Sequence, residues 1–132
     1  MNPILIRYAD ILLMNAEALA ELGELDKTAW DATIKPIRDR AGFTLASALE
    51  FPEGASKDKL IEIVRNERRS ELALEGHRHK DIIRWRIADN VLNGWCHGLK
   101  TNDVVGTDDG YVRVENRTFN ANRHYLWPIP QA

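Results

Sequence analysis

The feature that most constrains this chain is a run of charged residues where a helix should be apolar. At about 100° per residue, residues 60–75 wind into a helix with one apolar side. Three carboxylates lie in the middle of that side: Glu67, Glu71 and Glu75. Surface helices normally keep such groups on the opposite face, and carboxylates are rarely buried unless they are paired. The pattern therefore predicts that this face meets cations from elsewhere in the fold.

The size and composition of the chain fit one globular domain over residues 1–132. It is 44% hydrophobic and 29% charged, and its net charge of -2 provides no basic surface for nucleic acid. The one cysteine, Cys96, excludes an intramolecular disulfide and a multi-cysteine metal cluster. No signal peptide is visible, and the longest strongly apolar stretch, residues 11–14, is too short to span a bilayer.

Two helices are predicted in residues 1–42. The first, residues 4–22, is apolar nearly all round, which is typical of a helix enclosed by neighbours. Its narrow polar stripe contains Arg7, Asp10, Glu17 and Glu21. The second follows the N-cap Asp26 and runs to about residue 40, with Pro36 expected to kink or break it. The pair looks like an αα-hairpin of the tetratricopeptide type, and the sequence does not restate it at a period of about 34 residues.

A second helix pair is predicted in residues 56–90. Ser56 caps a helix over residues 57–75, and Gly76 separates it from a helix over residues 77–88. The simplest packing sets the three carboxylates against the second of these helices, with Arg68 and Arg78 as their cations, because a guanidinium can hold two carboxylate oxygens. The predicted structural ion-pair network comprises Glu67, Arg68, Glu71, Glu75, Arg78, Asp81 and Trp85. Asp81 is also spaced to pair with Arg84, three residues further along.

The remaining residues, 91–132, lack helical periodicity. A Thr107–Gly110 turn leads into an alternating run, which predicts a short hairpin or an exposed loop with two strand fragments. The proline-rich end should lie extended against apolar surface, with Trp127 as a plug. The predicted fold class is all-α: a tetratricopeptide-like helical hairpin plus two further helices, with a small irregular or β-hairpin appendage near the C-terminus.

Four segments of the chain carry a resemblance to a known family. The run E-R-R-S-E-L-A-L-E-G-H-R-H-K-D-I-I-R-W occupies residues 67–85. R-Y-A-D-I-L-L-M-N-A-E-A, I-R-D-R-A-G and Y-L-W-P-I-P occupy residues 7–18, 37–42 and 125–130. Together, in this order, they resemble the C-terminal region of the SusD/RagB family of outer-membrane nutrient-binding lipoproteins of Bacteroidetes. Any one of them alone would not be specific.

The resemblance implies a mostly helical fold and a non-catalytic function. A SusD-like protein captures an oligosaccharide or polysaccharide at the cell surface for import by a TonB-dependent outer-membrane transporter of the SusC type. The resemblance also implies a lipid anchor on an N-terminal segment that this chain lacks, which makes the chain the C-terminal part of a longer protein. No catalytic residue, metal or cofactor is predicted. Separated from that segment, the apolar first helix should be exposed and should self-associate or bind a neighbouring chain.

Two apparent catalytic or metal motifs are better explained as structural. Glu71 and Glu75 could be the acid and base of a glycosidase, but they lie one turn apart and leave no slot for a sugar between them. His77 and His79 are two apart, so on a helix they point to nearly opposite sides and cannot chelate one ion. These residues are predicted to serve the scaffold or to be solvated.

The candidate ligand-binding residues are two aromatic side chains in the irregular region. Trp95 and Tyr111 lie where recognition residues concentrate, and flat rings suit stacking on sugar faces. The alternative is that both rings pack this region onto the helical body, and the resemblance implies that glycan contacts come largely from loops outside the four motifs. For the protein as a whole, the alternative function is a stand-alone, tetratricopeptide-like helical module for protein interaction.

Overall fold

The computed structural model describes residues 6–101 and 107–126, and it divides the chain into two compact units, Met1–Arg78 and His79–Ala132. In chain order the helices are α1 Tyr8–Leu22, α2 Lys27–Arg40, α3 Ala46–Leu49, α4 Lys57–Glu71, α5 His77–Arg84 and α6 Ala88–Val91. The strands are β1 Gly94–Lys100, β2 Thr107–Asp108 and β3 Tyr111–Arg117. The prediction of a mostly helical fold with a small β appendage is confirmed. In the described ranges, no helix is both long and apolar enough to cross a membrane.

The core of the first unit lies between α1, α2 and α4. The inner face of α1 buries Ala9, Leu13, Ala16 and Ala20. Opposite them, Ile34 of α2 and Val64 of α4 are fully buried. Trp30 of α2 is 1% exposed, and its indole N–H donates to the Leu49 carbonyl at 2.9 Å, which ties α3 to the core. The α1–α2 hairpin is therefore closed on one side by α4.

The first two helices begin and end largely where the sequence predicted. Helix α1 starts at Tyr8 instead of residue 4, because Arg7 is extended, and residues 4 and 5 lie outside the described part. Asp26 caps α2 by accepting from the Ala29 N–H at 2.8 Å. Helix α2 runs through Pro36 without a break. Pro36 is exposed, so water can serve the carbonyl that it leaves without an intrahelical donor.

The later helices are shorter than predicted. Helix α4 ends at Glu71 instead of residue 75, and the chain turns at Leu74, where φ is 65°. Helix α5 ends at Arg84 instead of residue 88, followed by Arg86 at a φ of 52°. Neither turning residue is a glycine, so the sequence carries no ordinary signal for these ends. The predicted loop over residues 43–55 contains α3.

The second unit contains an antiparallel sheet of three strands in the order β1-β3-β2. Trp95 of β1 pairs with Asn116 of β3, and Lys100 pairs with Tyr111, with irregular register between these pairs. Asn93 closes one end of the β1–β3 pair, since its side-chain oxygen accepts from the Phe119 N–H at 2.5 Å. The long strand β1 was not predicted, because Gly94 and Gly98 obscure its alternation.

The last described turn, which contains Tyr125, is hydrogen-bonded to α6. The Tyr125 hydroxyl donates to Asp89 Oδ1 at 2.7 Å and accepts from the Ala88 N–H at 3.0 Å. The Phe119 ring meets the Tyr125 ring edge-on, with the centroids 4.9 Å apart. The predicted plug at Trp127 lies outside the described residues.

Candidate functional site

Arg38 of α2 is the partner of the first carboxylate of α4. Glu67 Oε2 accepts from Arg38 Nε at 2.8 Å and lies 2.7 Å from Nη2. The same guanidinium donates to the Ala48 carbonyl at 2.6 Å and lies 5.1 Å from the centre of the Trp30 ring. One arginine thus joins α2, α3 and α4.

Arg7, just before α1, binds the other two carboxylates. Its guanidinium forms ion pairs with both Glu71 and Glu75, and it also donates to the Glu71 carbonyl at 3.3 Å. Arg40, at the end of α2, forms a further ion pair with Glu71. The charged side of α4 therefore packs against cations from both helices of the hairpin.

A ladder of ion pairs continues this contact along α1 and α4. Asp10 accepts from Arg68 at 2.5 Å, and Glu21 accepts from Arg65 at 2.9 Å. The Arg68 residue is only 6% exposed. Partners advance along α1 as they retreat along α4, so the two helices run antiparallel with matched charges.

The structure adds cations on the α4 carboxylates that were not predicted, namely Arg7, Arg38 and Arg40. Arg68, which was predicted to pair with these carboxylates, forms an ion pair with Asp10 of α1. The predicted pair of Asp81 with Arg84 is present at 3.0 Å, and the Arg84 guanidinium lies 4.8 Å from the centre of the Trp85 ring. A part for Arg78 in the network stays a prediction.

The sequence did contain a signal for the correct partners. The narrow polar stripe of the first helix includes Arg7, Asp10 and Glu21, and these are the residues that meet α4. Two charged stripes on otherwise apolar helices have to face each other, because each needs a partner away from water. The sequence-based prediction differs because it packs the carboxylate face of α4 against the nearest helix in sequence.

This charged cluster has the chemistry of a scaffold. Arg7 contacts both Glu71 and Glu75, so a guanidinium lies where a glycosidase would need to hold its substrate. Over residues 6–101 and 107–126, no group of three or more His, Cys, Asp or Glu side chains is arranged to hold a metal ion. The candidate functional site must therefore be sought elsewhere.

The sheet of the second unit presents both candidate aromatic residues on its surface. Trp95 of β1 is 44% exposed and Tyr111 of β3 is 42% exposed. Tyr111 and Arg113 are two apart on β3, so they share a face of the sheet. The Arg113 guanidinium lies 5.5 Å from the centre of the Trp95 ring, which places Trp95 on that face as well. We call this surface the aromatic face.

An ion-pair cluster orders the middle of the aromatic face. Arg113 Nε lies 3.0 Å from each carboxylate oxygen of Asp108, and His97 Nε2 lies 2.8 Å from Asp108 Oδ2. Hydrogen bonds from Arg113, and then from His97, hold the pKa of the Asp108 carboxyl well below its usual range. Asp108 thereby fixes the guanidinium that lies over Trp95.

Lys100 occupies the other end of the aromatic face. Its ammonium lies 5.2 Å from the centre of the Tyr111 ring. A Cβ on Gly110 would lie 3.5 Å from Lys100 Cε and 3.2 Å from the Thr101 carbonyl oxygen. Gly110 thus leaves room for the lysine stem, and its φ of 83° is one that side chains rarely adopt.

The aromatic face has the features of a recognition surface. Two half-exposed rings supply flat apolar area, and polar groups beside them supply hydrogen bonds, which together suit a ligand with alternating C–H and hydroxyl groups. The sequence indicated the two rings but not the residues beside them. Those residues are His97, Lys100, Asp108 and Arg113. The alternation of residues 111–114 was the signal that Arg113 accompanies Tyr111.

The second unit also contains an open cleft of about 660 Å³. It is lined by His79, Ile83, Asn122, Arg123, His124, Tyr125 and Leu126. Its one aromatic hydroxyl, that of Tyr125, is already bound to α6, and the Phe119 ring packs edge-on against Tyr125. The cleft therefore offers less free aromatic surface for stacking than the aromatic face does.

The elements described so far define a class of protein. The first unit is a tetratricopeptide-like helix pair joined to a third helix by a ladder of ion pairs, and the second unit contains a small sheet with exposed rings. The chain belongs to the SusD family, whose model matches residues 1–132. The family resemblance seen in the four sequence segments is thereby confirmed.

Individual relatives agree with this assignment. SusD-like protein P2 of Formosa agariphila is 34% identical over 131 residues, which cover 98% of this chain and 23% of that protein. SusD-like protein P38 of the same organism is 36% identical over 107 residues, which cover 79% of this chain and 21% of that protein. This chain therefore spans less than a quarter of the length of either relative.

Solved structures show the same fold. The crystal structure of a SusD-like carbohydrate binding protein from Bacteroides fragilis superposes with a TM-score of 0.78 at 38% identity, over 98% of this chain and 26% of that one. A second SusD-like protein from Bacteroides fragilis gives a TM-score of 0.75 at 32% identity, over 96% of this chain and 22% of that one.

Proposed function

We propose that the protein is a non-catalytic, SusD-like glycan-binding protein. The observation that carries this proposal is the match, over 98% of the chain, to a protein described as carbohydrate binding. The aromatic face supports it, because two half-exposed rings on a small sheet provide the flat surface on which a pyranose ring stacks. The absence of catalysis is supported by the charged cluster, in which Arg7 holds both Glu71 and Glu75.

The biological setting that we propose follows from the family. The protein captures an oligosaccharide or polysaccharide at the outer surface of the outer membrane, to which a lipid anchor attaches it. It delivers the glycan to a TonB-dependent transporter of the SusC type. Membership of the SusD family supports this setting, and no residue of this chain is assigned to the transporter contact.

The proposed glycan site is the aromatic face, with Trp95 and Tyr111 as the stacking residues. The test compares Trp95→Ala, Tyr111→Ala and the unaltered protein on a glycan array, followed by affinity gel electrophoresis with any glycan that binds. Loss of one stacking ring should weaken binding roughly tenfold, in line with a stacking contribution of about 1–1.5 kcal/mol.

A matched control for these variants is Tyr8→Ala. Tyr8 is an exposed aromatic residue on α1, 76% accessible, and lies in the other unit. The Tyr8→Ala substitution should leave glycan binding unchanged. Circular dichroism should show that all three variants remain folded. Equal loss of binding in Tyr8→Ala and Trp95→Ala, or no loss in either ring variant, would reject the aromatic face as the site.

A second candidate function, a helical module for protein interaction, is favoured by the outer face of α1. That face carries apolar side chains opposite the buried ones: Tyr8, Ile11, Met14, Ala18 and Leu22. Tyr8 and Leu22 are 76% and 68% exposed. Apolar surface of this kind on one helix indicates a contact with another protein segment. We propose that, in isolation, the chain self-associates there.

Light scattering at several concentrations tests this contact. The unaltered chain should form dimers or larger species, and Ile11→Lys should return it to a monomer because a charge is placed in the middle of the apolar face. The control Lys59→Gln, on the exposed side of α4, should not change the mass. A monomer at every concentration would contradict the interaction module and leave the glycan proposal standing.

A further inference from the structure

The two cations of the aromatic face, Arg113 and Lys100, differ in whether they form an ion pair. Arg113 is neutralised by Asp108, which also accepts from His97. Lys100 differs: within residues 6–101 and 107–126 its ammonium has a ring contact with Tyr111 but no carboxylate within ion-pair distance. One cation of the face is thus held in place without a counter-charge among the described residues.

The position of this cation is built into the sheet. Lys100 pairs with Tyr111 across β1 and β3, and its stem lies over Gly110, where a Cβ would be 3.5 Å from Lys100 Cε. The backbone N–H of Thr101 donates to the Gly110 carbonyl at 2.7 Å, which fixes this end of the strand pair. The pairing of the two strands therefore places the Lys100 ammonium near the exposed Tyr111 ring.

The chemistry of this pairing selects a type of ligand. A sugar that stacks on the Tyr111 ring places its substituents within reach of the Lys100 ammonium, which lies over that ring 5.2 Å from its centre. A hydroxyl there accepts a hydrogen bond from the ammonium, whereas a carboxylate or sulfate also brings the opposite charge and forms an ion pair. Among residues 6–101 and 107–126, the Asp108 carboxylate is paired with Arg113 and His97, and no ion pair joins Asp109, at the tip of the β2–β3 turn, to Lys100.

We propose that the aromatic face takes an anionic glycan, whose carboxylate or sulfate groups pair with Lys100 while a sugar ring stacks on Tyr111. This inference rests on the proposed glycan-binding function and names the substrate class of the same site. Uronic acids and sulfated sugars share the required chemistry, an anionic group on a pyranose ring. Neutral glycans would use the rings alone and bind more weakly.

The test uses short oligosaccharides, so that multivalency does not mask the effect. Isothermal titration calorimetry measures binding of trigalacturonate, a sulfated carrageenan oligosaccharide and neutral maltotriose to the protein and to Lys100→Gln. The substitution should weaken binding of the acidic ligands by up to about fivefold, the upper end for an exposed charge pair, and leave maltotriose binding unchanged. Raising the salt concentration should weaken the acidic ligands in the unaltered protein and have less effect in the variant.

Lys80→Gln is the control, because it removes one exposed lysine of α5 and gives the same net charge as Lys100→Gln. Stronger binding of trigalacturonate identifies the anion as a carboxylate, and stronger binding of the carrageenan oligosaccharide identifies it as a sulfate. An equal loss of affinity for the acidic ligands in both lysine variants would overturn the proposal of an anionic glycan. Maltotriose binding as tightly as the acidic ligands would do the same. Either result would leave the proposed glycan-binding function standing. If no glycan bound to the unaltered protein, on the array or in calorimetry, the proposed glycan-binding function itself would be wrong.

Discussion

The pair of Asp10 and Arg68 offers the sharpest test of the scaffold. The Asp10 carboxylate lies 2.5 Å from Arg68 Nη1, and the two side chains are 13% and 7% exposed. Asp10→Asn keeps the shape of the side chain and one carbonyl acceptor but removes the charge. Arg68, whose side chain is only 7% exposed, then loses its carboxylate partner on α1.

The expected loss of stability is large for a single polar substitution. Removing one member of a buried pair costs about 3–5 kcal/mol, and the remaining amide carbonyl brings the expectation to about 2–3 kcal/mol. Urea unfolding, followed by circular dichroism at the helical band, should show a midpoint lowered by roughly 1 M or more at unchanged slope. Adding Arg68→Met removes the other charge of the pair, so the double variant should lose less stability than the sum of the two single losses.

An exposed pair on the same helix is the control. Lys59 and Glu62 lie 2.9 Å apart, with side chains 55% and 59% exposed. Glu62→Gln should change stability by no more than about 0.5 kcal/mol, because water replaces the lost partner. If Asp10→Asn and Glu62→Gln were equally mild, the buried ladder would not be what holds α4 on the hairpin, and the reasoning would fail.

Three further outcomes are expected. Trp30→Ala should lower the free energy of unfolding by about 3–5 kcal/mol, measured by urea denaturation, because the ring is 1% exposed and central to the core. Gly23→Ala should cost about 1–2 kcal/mol in the same assay through backbone strain alone, since φ is 79° and the nearest atom to a new Cβ is 3.8 Å away. Carbon NMR should find the pKa of Asp108 below the usual range, and Arg113→Ala should raise it towards that range. Because the folded pKa lies below the unfolded one, the contact stabilises the sheet at neutral pH and loses its contribution only as the pH falls through the folded value.

Much of the helical part of this fold was predictable. The N-cap Asp26 and the paired apolar faces indicated where α1 and α2 lie, because caps and periodicity are local properties. The ends of α4 and α5 were not predictable. They depend on Leu74 and Arg86, which have a left-handed backbone conformation although neither is a residue type that favours turns.

The site was predictable only in its aromatic residues. Trp95 and Tyr111 were singled out by residue type, but their common face depends on how β1 and β3 pair across an irregular register. That pairing brings Lys100 beside Tyr111 although they are eleven positions apart in sequence. The cations that α1 and α2 contribute to the α4 carboxylates were not predicted for the same reason, since neighbours far apart in sequence depend on packing and not on local spacing.

The contrast between the two clusters explains why the most distinctive stretch of the sequence is not the part that we expect to touch a ligand. The Asp10–Arg68 pair of the α1–α4 ladder joins two nearly buried charges, so replacing Asp10 alone removes the carboxylate partner of a nearly buried guanidinium. Such residues can change only together, and they therefore mark the fold. Lys100 and Trp95 are exposed, so replacing either strands no buried group. Substitutions on the proposed glycan site should therefore change binding without loss of stability, and variants at Lys100 should unfold at the same urea concentration as the unaltered protein.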